Sequence, residues 1–244
     1  MKIGVIIQAR MGSTRLPGKV MKKIQGRSVL EHVIERVKQS RLIDEIIIAT
    51  TTHDQDSVIE FEALRCGVKS FRGSEDDVLS RYYYAAKNNE IDVVVRITSD
   101  CPLIDPIVLD NVIEFYGSND YEIVTNAGND LDNRTYPRGL DVEIFSFVLL
   151  EKAFNNAKEK HQREHVTPYI YETSKNVAIY KNENNYSDYR WTLDTEEDFE
   201  LICEIYSDLY KGSHDFYLEE IISLVNARPE LKMINAHIEQ KKIK

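Results

Sequence analysis

Short apolar runs alternate with amphipathic stretches along the first half of the chain. Continuous apolar runs at residues 3–7, 46–49 and 91–97 predict buried strands, and a shorter run at residues 68–71 predicts another. Between these runs the apolar residues recur at helical spacing, which predicts a helix in each interval. Regular strand–helix alternation predicts a doubly wound α/β fold, with a mostly parallel sheet covered by helices on both faces.

Two of the predicted elements carry specific expectations. We expect Asp54 to cap the second helix, with Val58, Phe61 and Leu64 on the side that faces the core. Residues 189–194 are expected to form a late strand that ends at an aspartate. In a parallel sheet, the residues that follow each strand gather at one edge, where ligands bind.

The middle of the chain is less regular. Residues 126–180 are rich in turn-forming residues at first, and residues 139–145 then alternate as a strand would, with Asp141 and Glu143 on one face. We expect one domain over residues 1–244, with residues 126–180 as a small inserted lobe. Aromatic residues are frequent at interfaces, and this lobe holds six: Tyr136, Phe145, Phe147, Tyr169, Tyr171 and Tyr180. They predict that the lobe binds the acceptor and forms a homodimer.

The charge distribution indicates a small anionic ligand. The formal net charge is −10, yet residues 1–30 contain seven Lys or Arg and no Asp or Glu. An acidic chain with one basic loop argues against a nucleic acid partner. Three unpaired cysteines indicate a reducing, cytoplasmic environment, and no apolar run is long enough to predict a membrane span.

The basic loop follows the first predicted strand, at residues 6–19 (IIQARMGSTRLPGK). Glycines allow close backbone approach, hydroxyls donate hydrogen bonds and arginines offer planar forks, so the loop is expected to be exposed and to bind phosphates. It is not a P-loop, because Gly12 and Gly18 are too far apart and Lys19 is followed by Val20. A Gly-x-Gly-x-x-Gly dinucleotide motif is also absent.

Two aspartates follow predicted strands, Asp100 and Asp194. Magnesium prefers oxygen ligands and is commonly held by one or two carboxylates together with phosphate oxygens. The pair therefore suits a metal-bound nucleoside triphosphate. Either residue taken alone is as readily explained as a helix cap or a turn residue.

Several motifs together resemble the sugar cytidylyltransferases, the family that activates KDO and sialic acids as CMP-sugars, and above all its spore-coat polysaccharide type. These motifs are the basic loop, residues 98–106 (TSDCPLIDP), residues 139–143 (GLDVE), residues 163–169 (REHVTPY) and residues 190–198 (RWTLDTEED). The resemblance implies a Rossmann-like nucleotidyltransferase fold, CTP as substrate and Mg²⁺ as cofactor.

The resemblance also implies roles for individual residues. Catalysis would rest on Arg15, Lys19, Asp100 and Asp194, and the two aspartates would hold the metal. The nucleotide would be bound by Ala9, Arg10, Gly12, Ser13, Arg15, Lys19, Thr51, Arg72, Gly73, Asp77 and Arg81. The acceptor would be bound by Asp141, Glu143, Arg163 and His165.

One departure bears on the acceptor. Enzymes that activate KDO usually carry Gln-Gly-Asp-Glu-Pro where this chain has Thr98-Ser99-Asp100-Cys101-Pro102. An acceptor other than KDO is therefore expected, either an anionic sugar acid or a phosphorylated polyol. Two alternatives stay open at this point: transfer from another nucleotide such as UTP to a sugar 1-phosphate, and a nucleotide-binding protein without catalysis.

Overall fold

The computed structural model describes residues 1–127 and 133–239. Its strands are β1 (Ile3–Gln8), β2 (Lys23–Ile24), β3 (Arg27–Ser28), β4 (Glu45–Thr51), β5 (Lys69–Gly73), β6 (Val93–Thr98), β7 (Ile123–Thr125), β8 (Glu143–Ser146) and β9 (Val177–Ile179). Its helices are α1 (Val29–Val37), α2 (Ser57–Arg65), α3 (Val78–Asn88), α4 (Pro106–Gly117), α5 (Phe147–Asn156), α6 (Lys160–His165), α7 (Pro168–Thr173), α8 (Glu196–Leu209), α9 (Leu218–Ala227) and α10 (Glu230–Ile234).

One sheet organises the fold, with the strand order β5-β4-β1-β6-β8-β7-β9. The pairs β1–β4, β1–β6 and β4–β5 are parallel, whereas β8 runs antiparallel to both β6 and β7. Adjacent residues of the central strands enter opposite core layers. Ile6 packs with α3 and α5, and Ile7 packs with α1 and α4. Both are fully buried, which confirms the predicted doubly wound, mostly parallel sheet.

The segment 126–180 contributes to this sheet. Its strand β8 lies between β6 and β7, and Glu143 pairs with Arg96 across the ladder. Two of its aromatics, Tyr136 and Phe145, are buried in the core of the chain itself, and Phe147 stacks on Tyr83. Part of the aromatic content that predicts a dimer is therefore used within one chain. The inserted lobe and the dimer both stay predictions, and residues 128–132 lie outside the described part of the chain.

The predicted face of the second helix is wrong. Val58, Phe61 and Leu64 are 45%, 67% and 74% exposed, whereas Ile59 and Ala63 are fully buried. The helix begins at Ser57, and Asp54 lies in a short 3₁₀ turn before it. The hydrophobic pattern fails here because a charged residue, Glu62, belongs to the buried face, where Ser28 and Arg65 donate hydrogen bonds to it.

The predicted strand at residues 189–194 is also absent as a regular element. This segment is extended but makes a single parallel bridge, between Arg138 and Arg190. The segment leads directly into α8. Thr195 caps the first turn of that helix, as predicted. Among the helices of residues 1–127 and 133–239, none is long and apolar enough to cross a bilayer.

Two buried histidines join α1 to the segment between α8 and α9. His32 Nδ1 lies 2.8 Å from His214 Nε2, and His32 Nε2 lies 2.8 Å from the carbonyl oxygen of Ile24. A carbonyl only accepts, so His32 donates through Nε2 and accepts from His214 through Nδ1. Burial lowers the pKa of His32 to about 4, and burial and the neighbouring His32 lower the pKa of His214 to about 3. Both rings are therefore neutral near pH 7.

This pair should make stability depend on pH. Both folded-state pKa values lie below the ordinary 6.5, so the unfolded chain binds more protons between pH 6.5 and about 4. The free energy of unfolding should fall as the pH drops through this window, and His214→Gln should reduce that fall by on the order of 2 kcal/mol. Urea denaturation at pH 7, 6 and 5 measures it. His161→Gln, at an exposed histidine, is the matched control, and equal pH dependence in His214→Gln and wild type would refute the assignment.

Candidate active site

A cleft of about 270 Å³ opens at the carboxyl ends of β1 and β6, the edge at which the sequence predicts ligand binding. Ten of the residues singled out from the sequence line it: Ala9, Arg10, Gly12, Ser13, Arg15, Lys19, Arg81, Asp100, His165 and Asp194. Gln8, Thr14, Thr98, Ser99 and Glu164 line it as well. The topology thus brings together residues that are up to 186 positions apart in the chain (Gln8 and Asp194).

Lys19 connects the two aspartates. Its Nζ lies 2.7 Å from Asp100 Oδ2, 2.8 Å from Asp194 Oδ1 and 2.8 Å from the carbonyl oxygen of Leu193. Burial disfavours the charged lysine, but Asp100 and Asp194 outweigh burial and raise its pKa. The expectation that Lys19 is exposed is wrong, since 12% of its side chain is accessible. The loop folds inward because Gly18, at φ 68°, donates its N–H to Met11.

Other cations and hydroxyls complete the environment of the two carboxylates. Asp194 Oδ2 forms an ion pair with Arg15 at 2.8 Å and accepts a hydrogen bond from Arg190 at 3.0 Å, and Asp100 Oδ1 accepts from Thr98 at 2.6 Å. Burial acts to raise the pKa of Asp100, but Lys19 and Thr98 hold it below its ordinary value. Asp100 is therefore ionised, and each of the two carboxylates contacts at least one cation in the free protein.

The sequence did not single out Arg190, although it supports this arrangement. Its Nε and Nη2 donate to Asp198 at 2.9 and 3.0 Å, and Asp198 also accepts the backbone N–H of Asp194 at 2.9 Å. The sequence did contain a signal for this role: Arg190, Asp194 and Asp198 are spaced four residues apart. Their three side chains converge at the start of α8. Arg190 thereby fixes the carboxylate of Asp194 in the cleft.

A buried carboxylate, that of Asp56, holds the basic loop in place. Asp56 accepts the backbone N–H of Met11 at 2.7 Å and the hydroxyl of Thr51. Arg72 donates to the carbonyl oxygens of Thr51 and His53 at 2.9 and 2.8 Å. Thr51 and Arg72 therefore support the wall of the cleft but do not line it in the free protein.

Arg81 is the most unusual group in the cleft. Its side chain is 2% exposed, and its Nε and Nη1 are buried without a hydrogen-bond partner in the described part of the chain. It packs on Gly73, where an added Cβ would lie 2.9 Å from Arg81 Cγ. Burial lowers its pKa. A buried guanidinium whose N–H groups lack acceptors is costly to the free protein.

Most of the predicted acceptor residues are paired with other side chains. Arg163 pairs with Asp77, which caps α3, and Asp141 accepts from Arg134 at 2.6 Å. Glu143 is buried and accepts from Arg96, from Thr167 at 3.0 Å and from Tyr171 at 2.8 Å. None of Asp77, Asp141, Glu143 and Arg163 lines the cleft.

His165 is the acceptor candidate that does reach the cleft. It is followed by Val166, which has φ 72° and ψ −58°, and the N–H of Thr167 donates to the carbonyl oxygen of His165 at 2.9 Å. This is the rare γ-turn, and it is strained at a β-branched residue. The turn ends α6 with His165 and Glu164 both at the cleft.

Comparison with known proteins agrees with this geometry. Residues 4–242 match the profile of the family described as Cytidylyltransferase. The chain is 34% identical over 239 residues to the spore coat polysaccharide biosynthesis protein SpsF of Bacillus subtilis (strain 168), an alignment that covers 92% of this chain and 94% of that protein.

Two solved structures share the fold. A cytidylyltransferase from Leptospira borgpetersenii serovar Hardjo-bovis (strain JB197) is 39% identical with a TM-score of 0.88, over 95% of this chain and 96% of that one. A CMP:2-keto-3-deoxy-manno-octonic acid synthetase complexed with CTP has a TM-score of 0.66 over 85% of this chain and 99% of that one. At 18% identity, the second supports the fold alone.

The fold and the family relationship together define a nucleotidyltransferase, and thus an enzyme. The chain belongs to the cytidylyltransferase family, since the family profile extends over nearly its whole length. The family resemblance seen in the separate sequence motifs is thereby confirmed.

Proposed function

We propose that this enzyme transfers CMP from CTP to an anionic sugar acid or phosphorylated polyol, releases pyrophosphate and requires Mg²⁺, in the synthesis of a surface polysaccharide or glycoconjugate. One observation carries the proposal: Lys19 binds Asp100 and Asp194 at once, in a cleft that also holds Arg15 and the unpaired Arg81. Two carboxylates and four cationic side chains, those of Arg10, Arg15, Lys19 and Arg81, suit a metal–triphosphate complex.

The basic loop would hold the triphosphate. Arg10, Ser13, Arg15 and Lys19 are the donors, and the backbone at Gly12 allows close approach. Arg10 is free to turn toward a ligand, because its partner Glu75 lies 3.4 Å away at an exposed position. Arg15 and Lys19 would give up bonds to Asp194 for bonds to phosphate oxygens.

The donor set fits Mg²⁺. No cluster of three or more His, Cys, Asp or Glu side chains within the described ranges could hold a metal, so the protein would contribute the two carboxylates of Asp100 and Asp194. Such a number is usual where phosphate oxygens and water supply the remaining ligands. When bound, Mg²⁺ would neutralise phosphate charge and polarise the α-phosphoryl group.

In the proposed reaction, an acceptor oxygen attacks the α-phosphorus in line, and the bond to pyrophosphate breaks. Arg15 and Lys19 would stabilise the charge that develops on the phosphoryl oxygens. A phosphate acceptor needs no general base, whereas a hydroxyl must lose its proton. His165 and Glu164 line the cleft and are the candidate bases for a hydroxyl acceptor.

The cytosine base of CTP would be recognised between Ala9 and Arg81. The N–H of Ala9 already donates to Ala49 at 3.1 Å, which leaves the backbone carbonyl of Ala9 and the guanidinium of Arg81 to face a pyrimidine. Gly73 would make room for Arg81, and Thr51 and Arg72 would hold this wall in place. Asp77 would fix the start of α3, the helix that carries Arg81.

The acceptor would enter from the side of His165. Arg163 would orient α6 through its pair with Asp77, and Glu143 would hold α7 through Thr167 and Tyr171. Asp141 is 39% exposed and stays a candidate for direct contact. A homodimer and a cytoplasmic location belong to the same proposal, and light scattering would test the first.

Nucleotide choice tests the proposal. With Mg²⁺ and a panel of sugar acids and sugar phosphates, CTP should give the highest rate of pyrophosphate release among the four ribonucleotides, and EDTA should abolish the reaction. The triphosphate contacts are generic, so the preference must come from the base. A higher rate with UTP and a sugar 1-phosphate would favour a nucleotidyltransferase that uses another nucleotide. Binding of CTP with no turnover across the panel would favour a nucleotide-binding protein without catalysis.

Arg81 gives a second test, with opposite signs for stability and binding. Arg81→Met removes an unpaired buried charge and should raise the free energy of unfolding of the free protein by about 1–3 kcal/mol. It should weaken CTP binding by roughly 10- to 100-fold, because hydrogen bonds to a charged donor are lost. Thermal melts and calorimetric titration with CTP measure the two effects.

Arg10→Met is the matched control, since Arg10 lines the same cleft but is half-exposed and paired with Glu75. It should weaken CTP binding without raising the melting temperature. If Arg81→Met bound CTP as tightly as wild type, Arg81 would not contact the nucleotide.

A further inference from the structure

A second cavity, of about 310 Å³, lies beside the extended segment at residues 187–191. It is enclosed by the extended segment at residues 187–191 and by residues of α8, α9 and α10. It shares no lining residue with the cleft. Its volume is at the lower end of the range for small-molecule sites, about 300–1,000 Å³.

The floor of this cavity is apolar and rigid. Trp191, Leu201 and Val225 are 1%, 3% and 3% exposed, and they belong to the main hydrophobic core. Tyr189 forms a side wall, and its ring lies 5.6 Å from that of Trp191. Such a surface favours an apolar or planar part of a ligand.

Three of the side chains that line the cavity are cationic: Arg138, Arg190 and Lys232. Arg138 is half-buried, and its guanidinium makes no hydrogen bond or ion pair with any residue in the described ranges. Lys232 Nζ lies over the ring of Tyr189 at 4.9 Å and is 4.0 Å from Asp188, whose side chain is 85% exposed. Arg138 and Lys232 thus border an apolar floor, and Asp188, the acidic residue among those that line the cavity, extends into solvent.

The hydrogen bonds of Arg138 to the described residues are made by its backbone and not by its side chain. Its backbone pairs with the segment at residues 187–191, since its N–H donates to Tyr189 and its carbonyl oxygen accepts from Trp191. Burial and the nearby charges of Arg134 and Arg190 lower the pKa of Arg138, and together they outweigh the opposing charge of Asp141. A guanidinium held among like charges without a carboxylate partner is a ready donor for an anion.

We infer that this cavity is a second ligand site, which binds a small organic anion with an aromatic or apolar body. The anionic group would contact Arg138 and Lys232, and the body would lie against Tyr189, Leu201 and Val225. The inference does not depend on the proposed transferase reaction. Arg190 lines this cavity and also donates to Asp194, so an occupant would lie one side chain away from the catalytic cleft.

Intrinsic fluorescence offers a local readout, because Trp191 is the only tryptophan of the chain and lies in the cavity wall. We expect phenyl phosphate to change its emission saturably and inorganic phosphate, which lacks the apolar body, to bind more weakly. Arg138→Gln should weaken phenyl phosphate binding about tenfold or more, and Lys232→Gln by roughly threefold.

Two controls locate the binding site. Arg41→Gln changes an exposed arginine that lines neither cavity, and Lys19→Ala changes the catalytic cleft; both should bind phenyl phosphate as wild type does. Lys232 is on the surface, so its variant tests the site even if Arg138→Gln does not fold. The inference is overturned if no saturable change occurs, if both cavity variants bind normally, or if Lys19→Ala alone abolishes binding.

Discussion

The candidate active site depends on one interaction, the contact of the Lys19 ammonium group with the carboxylates of Asp100 and Asp194. The ammonium group lies between two carboxylates that belong to distant parts of the chain, Asp100 after β6 and Asp194 before α8. Two ionised carboxylates so close together would repel each other without a cation between them. The free protein therefore keeps this acidic pair assembled by using one of its own side chains as the cation.

The rest of the architecture serves to place this lysine. The buried strand β1 ends at Gln8, and the loop that follows is held by Asp56 at Met11 and by the turn at Gly18. On the other side, Arg190 and Asp198 fix the carboxylate of Asp194. The side chains that are proposed to bind phosphates thus stabilise the site before a substrate arrives, and in that proposal substrate binding would exchange one set of ionic contacts for another.

The sequence predicted the fold and the location of the cleft well, because both depend on local patterns. Apolar runs identify strands that are buried on both faces, and residues after parallel strands necessarily share an edge. The sequence-based prediction failed where charged residues are buried. Because Glu62 belongs to the buried face of α2, the hydrophobic pattern does not identify that face. Lys19 was expected at the surface because a lysine in a loop usually lies there.

Long-range pairing was the other gap. The pairs Asp77–Arg163 and Asp141–Arg134 occupy side chains that the family resemblance assigned to ligands, and no local pattern reveals such partners. Arg81 shows the converse: its sequence context is an ordinary helix, and only the structure shows that its guanidinium is buried with two nitrogens that lack a hydrogen-bond partner among the described residues. Arg190 could have been found from its spacing to Asp194 and Asp198.

The central claim is that Lys19 occupies the cation position between Asp100 and Asp194. Electron paramagnetic resonance titration with Mn²⁺, in the absence of nucleotide, tests it directly on wild type, Lys19→Met and the exposed control Lys23→Met, with melts to check folding. Lys19→Met should bind Mn²⁺ at least about tenfold more tightly than wild type, since the ion no longer competes with an ammonium group. Adding Asp194→Asn should remove that gain. Equal Mn²⁺ affinity in all three proteins would contradict the account.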